Sequence, residues 1–179
     1  MRISHRSEPR RPSPVDGDGR YCRLMEDDGP YEIDVITRGG PSDIEAAQVR
    51  DAVRRALRRG GVGSARVSVA LVDDAEITLL NKKYLHHSGP TDVLSFNLTD
   101  PWDETLEGEL VLSTQTAWRE AAARGHDPTA EMLLYAIHGA LHLAGMDDAE
   151  PDDAARMHEI EDQILSEMRM GPAFAPKKS

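Results

Sequence analysis

His138-Gly139-Ala140-Leu141-His142-Leu143-Ala144-Gly145-Met146-Asp147-Asp148 is the stretch that decides how this chain folds. It continues an apolar run, Met132-Leu133-Leu134-Tyr135-Ala136-Ile137, so the segment reads as a helix that is apolar nearly all round. Such a helix belongs in the centre of a core. Residues i and i+4 are neighbours on a helix surface, which puts His138 and His142 one turn apart on a single face. Neutral imidazoles at that spacing can each present a ring nitrogen to one divalent ion at about 2.0–2.1 Å. Gly145 ends the helix, because glycine tolerates the left-handed conformation that reverses the chain. Asp148, just past that turn, is the expected third ligand. Three protein ligands with an open position form the donor set of a catalytic rather than a structural zinc. The alternative is a helix whose histidines merely pack and hydrogen-bond; the pair together with the glycine and the carboxylate favours the metal.

Working outward, Asp127-Pro128 is a good N-cap and first-turn pair for the metal-bearing helix. Before it, Ser113 or Thr114 starts a helix through Ala123 that Gly125 closes. After it, Pro151 opens a last helix with Met157, Ile160, Ile164 and Met168 at helical spacing, read as core filler, and Gly171-Pro172 ends it. At the other end of the chain, Tyr31–Thr37 alternates apolar and polar side chains and reads as a strand that Gly39-Gly40-Pro41 breaks. Ser42 with Glu45 forms a capping box opening a helix to Gly60-Gly61, whose core face is Ile44, Val49, Val53, Ala56 and Leu57. Arg50, Arg54 and Arg58 form a stripe along that helix. Val67–Val72 is a second strand. Asp73 and Glu76 cap the next helix, which carries Ile77, Leu80 and Tyr84 inward. Strands then follow at Thr91–Phe96 and Gly108–Ser113, separated by a loop around Asp100–Asp103.

These elements define an α+β fold: a single domain with one central mixed β-sheet packed by helices, and the metal-binding helix buried at its centre. The order of the strands is not readable. Residues 1–30, rich in Arg, Ser, Pro, Gly and Asp without apolar periodicity, read as a disordered N-terminal tail; a nucleic-acid-binding arm is the sharper alternative. Residues 31–170 form the domain and residues 171–179 a loose C-terminal tail.

A chain of 179 residues is large enough for one core without staples. A single cysteine, Cys22, rules out an internal disulfide framework and fits a reducing cytoplasm. No segment approaches the roughly 20 apolar residues that span a bilayer, and no apolar stretch follows the basic N-terminus as a secretory signal would require. The chain is therefore expected to be cytoplasmic, with no membrane partner. A net charge of −11 argues against non-specific nucleic-acid binding, although the arginines of residues 2–24 and 50–59 leave room for a local basic surface.

The spacing H-x-x-x-H-x-x-G-x-x-D is similar to that of the metzincin proteases, whose glutamate after the first histidine is the general base. Gly139 stands at that position and cannot move a proton, so a metzincin-like metalloprotease is disfavoured. Three segments together carry a different resemblance: Leu80-Asn81-x-x-Tyr84, then Pro90-Thr91-Asp92-Val93-Leu94-Ser95-Phe96, then the histidine motif itself. They resemble the YbeY family of metal-dependent endoribonucleases, as do Gly108-Glu109-Leu110 and the pair Met157 and Glu161. The resemblance covers roughly residues 31–170.

It implies a metal-dependent hydrolase of the bacterial cytoplasm acting on single-stranded RNA. The setting it implies is ribosomal RNA maturation at the 3′ end of the small-subunit RNA and ribosome quality control, with the ribosome or its small subunit as partner. His138, His142 and Asp148 would hold one Zn2+ and act through it. Lys83, His86, Thr91, Asp92 and Ser95 are the candidate substrate-binding residues. Two departures stand out. The family usually closes its motif with a third histidine where this chain has Asp148, which shifts metal preference toward harder ions. Many members carry an arginine where this chain has Leu85, so a phosphate contact there would fall to Lys83, His86 or His87. Asp147 is left as a residue orienting a ligand histidine, a turn residue or a proton acceptor. A reading from another class is a ribosome-associated binding factor whose metal is mainly structural.

Overall fold

The computed structural model describes residues 29–40, 44–84, 89–125, 127–171 and 173. In chain order the elements are β1 (Tyr31–Thr37), α1 (Ala46–Arg59), β2 (Ala65–Val72), α2 (Asp74–Tyr84), β3 (Val93–Asn97), β4 (Leu106–Ser113), α3 (Thr114–Arg124), α4 (Pro128–Leu143) and α5 (Pro151–Glu167). The strands form one sheet in the order β1-β2-β4-β3. β1, β2 and β4 are parallel, and β3 is an antiparallel edge strand on β4. Parallel neighbours need long crossovers, and α1 and α2 lie within the segments that supply them.

One face of the sheet carries the main core. Tyr31, Ile33, Val67, Val69, Leu71, Leu110 and Leu112 pack against Val49, Ala52, Val53, Ala56 and Leu57 of α1 and the apolar length of α4. The other face carries a smaller cluster, in which Ala70, Val72, Leu94 and Val111 meet Ile77 of α2. The alternation along β2 and β4 is what divides these residues between the two faces. α4 buries eleven of its sixteen residues and touches α1, α3, α5, β3 and β4, so it is the central helix that its composition requires.

Local chemistry sets the helix ends. Asp127 accepts from the Thr129 N–H at 2.7 Å with Pro128 in the first turn, and the Ser113 hydroxyl accepts from the Thr116 N–H at 3.1 Å. Gly125 closes α3 in the left-handed region. Asp73 accepts from the Glu76 N–H at 2.8 Å and starts α2.

Three expectations need adjustment. Ser42 lies outside the described residues; α1 begins at Ala46, and the Glu45 N–H donates to Gln48 Oε1 at 3.4 Å, so Glu45 with Gln48 caps the helix. Thr91 and Asp92 precede β3 instead of belonging to it, because Asp92 Oδ1 accepts from both the Thr91 hydroxyl (3.0 Å) and the Val93 N–H (2.9 Å) and so makes a turn. Tyr84 does not enter the core and is 51 % exposed. As the last residue of α2 it leans edge-on against Phe96, centroids 5.2 Å apart, at the margin of the smaller cluster.

Gly139 explains how closely α4 approaches the sheet. A β-carbon there would lie 2.8 Å from Val93 Cγ2 and 3.0 Å from both Leu110 Cδ2 and Ser95 Oγ. The Ser95 hydroxyl donates to the Gly139 carbonyl at 3.2 Å, fastening β3 to the helix turn that carries His138.

Candidate metal centre

The site is assembled at the C-terminal end of α4. Past Leu143 the Gly145 N–H donates to the His142 carbonyl (2.9 Å) and the Met146 N–H to the Leu141 carbonyl (3.0 Å), with Gly145 at φ +87°. This pair of bonds satisfies carbonyls that a helix end would otherwise leave orphaned, and the glycine makes it cheap. It also folds the chain back over the last turn. The Met146 carbonyl comes within 3.0 Å of His142 Nδ1, and Asp148 returns beside both rings. Asp147 is a turn residue: its Oδ1 accepts from the Asp148 N–H at 2.8 Å and the Ala149 N–H at 3.3 Å.

His138 Nδ1 is held from α5, 2.8 Å from Oε1 of the fully buried Glu161. A carbonyl and a carboxylate accept here, so a neutral ring at either position donates from Nδ1 and leaves its Nε2 lone pair free. Those two Nε2 atoms are 3.0 Å apart. Asp148 Oδ1 lies 3.7 Å from His142 Nε2, and Asp148 Oδ2 lies 3.8 Å from His138 Nε2.

One ligand atom from each of His138, His142 and Asp148 thus falls within 4.8 Å of the others. A tetrahedral ion bound at about 2.0–2.1 Å needs ligand atoms about 3.3 Å apart, which this triangle brackets. Two lone pairs facing each other at 3.0 Å next to a carboxylate repel unless a cation or a proton lies among them. The donor set therefore fits a divalent ion. The side chains are 24 %, 29 % and 40 % exposed, so the triangle opens to solvent on one side.

The electrostatics point the same way. Burial lowers the proton affinity of the His138 ring, but the hydrogen bond and charge of Glu161, with Asp148 and Asp92 behind them, outweigh it and raise the imidazole above its ordinary range. The site attracts positive charge.

The other candidate residues are distributed differently. Asp92 acts on His138 through its charge while its oxygen caps the start of β3. The Thr91 hydroxyl is engaged with Asp92, and the Ser95 hydroxyl with the Gly139 carbonyl. The Lys83 ammonium sits 4.8 Å above the Tyr84 ring centroid, not on any of the three ligands. His86, with Leu85 and His87, lies outside the described residues. Two contributors had no role assigned from sequence. The Met146 carbonyl leaves no side-chain signal at all. Glu161 did leave one, since it is the one acidic residue on the α5 face formed by Met157, Ile164 and Leu165.

Fold and site together define a class: an α+β protein with a solvent-facing group of two histidines and one carboxylate that could hold a metal ion, a donor set of the kind metal-dependent hydrolases use. The family model described as endoribonuclease YbeY matches residues 39–169. The chain belongs to that family. Relatives named endoribonuclease YbeY include one from Frankia casuarinae, 35 % identical over 144 residues that cover 74 % of this chain and 72 % of the relative. Another, from Moorella thermoacetica, is 40 % identical over 121 residues, covering 62 % of this chain and 78 % of the relative. A third, from Carboxydothermus hydrogenoformans, is 42 % identical over 100 residues, or 56 % and 70 % of the two chains. The solution structure of a Thermotoga maritima protein shares the fold, with a TM-score of 0.55, 23 % identity, and coverage of 82 % of this chain and 98 % of that one. No helix among the described residues is long and apolar enough to cross a membrane.

Proposed function

We propose that this chain is a metal-dependent, single-strand-specific endoribonuclease. Its setting is ribosomal RNA maturation at the 3′ end of the small-subunit RNA and ribosome quality control, in the cytoplasm and on the ribosome or its small subunit. The observation that carries the reading is the convergence of His138 Nε2, His142 Nε2 and an Asp148 oxygen on one solvent-facing point. Family membership supplies the substrate class.

His138, His142 and Asp148 would hold one ion, with Zn2+ the first candidate. A bound divalent ion supplies Lewis acidity toward water and toward a phosphoryl oxygen. The chain's own residues do the rest. Glu161 and the Met146 carbonyl keep both Nδ1 atoms protonated and both Nε2 atoms turned to the centre. Asp148 contributes a charge that a histidine would not, which favours harder ions than an all-histidine site. Lys83 is a cation available to a phosphate if it leaves Tyr84, and Ser95 on β3 and Thr91 and Asp92 in the turn before it remain candidates.

The structure argues against the two rival readings. A structural metal is usually enclosed by four protein ligands, whereas this group offers three and opens to solvent on one side. A metzincin-like protease needs a glutamate at position 139, where even a β-carbon would meet β3 and β4.

The test uses the purified full-length chain on a single-stranded RNA oligonucleotide and on its duplex. The ion-loaded protein should cut the single strand. His142→Ala should lose both ion and cleavage while its circular dichroism stays native. Cleavage by an ion-free His142→Ala would overturn the mechanism. Unfolding of the wild type on chelation would favour the binding factor.

A further inference from the structure

We propose that Glu161 is a positioning residue of the metal centre, a buried carboxylate that sets the tautomer and orientation of His138 and does nothing for the metal-free fold. The proposal rests on the metal reading above. Glu161 comes from α5, a different element from all three ligands, and is 0 % exposed among Met157, Ile164 and Leu165. Its Oε1 meets His138 Nδ1 at 2.8 Å, while its Oε2 is buried with no hydrogen-bond partner among the described residues.

A carboxylate kept for architecture looks different elsewhere in this chain. Both oxygens of Asp74 are engaged, Oδ1 by the hydroxyls of Ser113 (2.5 Å) and Thr116 (2.9 Å) and Oδ2 by Arg119 (2.8 Å). The buried Glu131 carries the Arg124 guanidinium at 2.8 Å. Among the described residues, Glu161 has an imidazole on one oxygen and no hydrogen-bond partner on the other. Burying a charge on those terms opposes folding unless positive charge lies close by. Among the described residues its hydrogen-bond partner is His138, whose far nitrogen faces the ligand triangle.

Two consequences follow from that geometry. The Nδ1–H tautomer is fixed, which leaves the Nε2 lone pair for an ion, and the negative charge behind the ring makes that lone pair more basic. The arrangement is one-sided, because His142 receives only the neutral carbonyl of Met146. With Asp148 in front and Glu161 behind, two carboxylates flank His138, balancing the charge of a divalent ion.

The test compares full-length wild type, Glu161→Gln and Glu161→Met. Zn2+ affinity is measured by competition with a chromophoric chelator, visible absorption on the Co2+-loaded proteins, and melting on the metal-free ones. Losing a partner of this kind typically costs 10–100-fold in metal affinity. Glu161→Met should fall in that range with weakened or displaced Co2+ bands. Glu161→Gln, which keeps an acceptor oxygen without the charge, should lose less, on the order of 10-fold. Both metal-free variants should melt at or above the wild type, since an unsatisfied buried charge has been removed. Wild-type affinity in both variants would overturn the proposal alone. So would metal-free Glu161→Gln melting well below the wild type, the mark of an architectural role. If the wild type itself took up no ion, the metal reading would fall and this proposal with it.

Discussion

Gly139→Ala tests the packing that brings His138 to its position. Alanine is ordinarily the better helix residue by about 0.8–1.0 kcal/mol. Here its methyl group would sit 2.8 Å from Val93 Cγ2 and 3.0 Å from Leu110 Cδ2 and Ser95 Oγ. None of the three yields easily. Valine is stiff at χ1, Leu110 is 0 % exposed, and the Ser95 hydroxyl is bonded to the Gly139 carbonyl. Overpacking of this kind costs about 1–3 kcal/mol. Subtracting the helix-propensity gain leaves a destabilisation centred on about 1 kcal/mol, or a melting temperature lower by roughly 2–4 °C for a chain of this size. Val93→Ala removes the nearest obstacle, so the double variant should recover part of the cost that Gly139→Ala shows alone, with a coupling of about 0.5–1 kcal/mol. Urea denaturation of the four proteins supplies the cycle. A Gly139→Ala variant more stable than the wild type, with no coupling to Val93, would refute the close approach of α4 to the sheet.

Further outcomes follow from other residues. Burial raises the Asp74 carboxyl, but hydrogen bonds from Ser113, Arg119 and Thr116 outweigh it and hold it below its ordinary value. Its contribution is therefore complete above the unfolded value near 3.8 and lost as the pH falls through the lower folded value. Asp74→Asn should cost about 1–2 kcal/mol at pH 7, and the deficit should shrink on acidification below that range; an equal deficit at pH 7 and pH 2.5 would contradict this. Arg169 occupies the left-handed position after α5 at φ +63°, where Met170 N–H reaches the Leu165 carbonyl at 2.9 Å. Arg169→Gly should therefore stabilise by about 0.5–1 kcal/mol in the same denaturation assay, and a loss of stability would show the turn to be unstrained.

What could be read from the sequence was local. The pairing of His138 with His142 follows from helix geometry, the Asp127-Pro128 start and the Gly145 stop from capping chemistry, and the return of Asp148 from the turn that glycine permits. The structure brings those three side chains together. The strand order β1-β2-β4-β3 was not readable, because pairing depends on contacts far apart in sequence. Tyr84 shows a subtler limit. Helical spacing placed it on the same face as Ile77, but spacing cannot tell whether the sheet extends far enough to cover the end of α2. The Met146 carbonyl belongs to the main chain, and no residue type announces it. Glu161 was visible as an acid on a buried helix face, yet only the packing of α5 on α4 reveals that it faces His138.

The most direct measurement is metal content by elemental analysis, on full-length protein prepared without a histidine tag, loaded and then dialysed. The ligand triangle requires about one divalent ion per wild-type chain and close to none in Asp148→Ala, with the metal-free folds intact. An Asp148→Ala protein retaining its full complement, or a wild type retaining none, would contradict it.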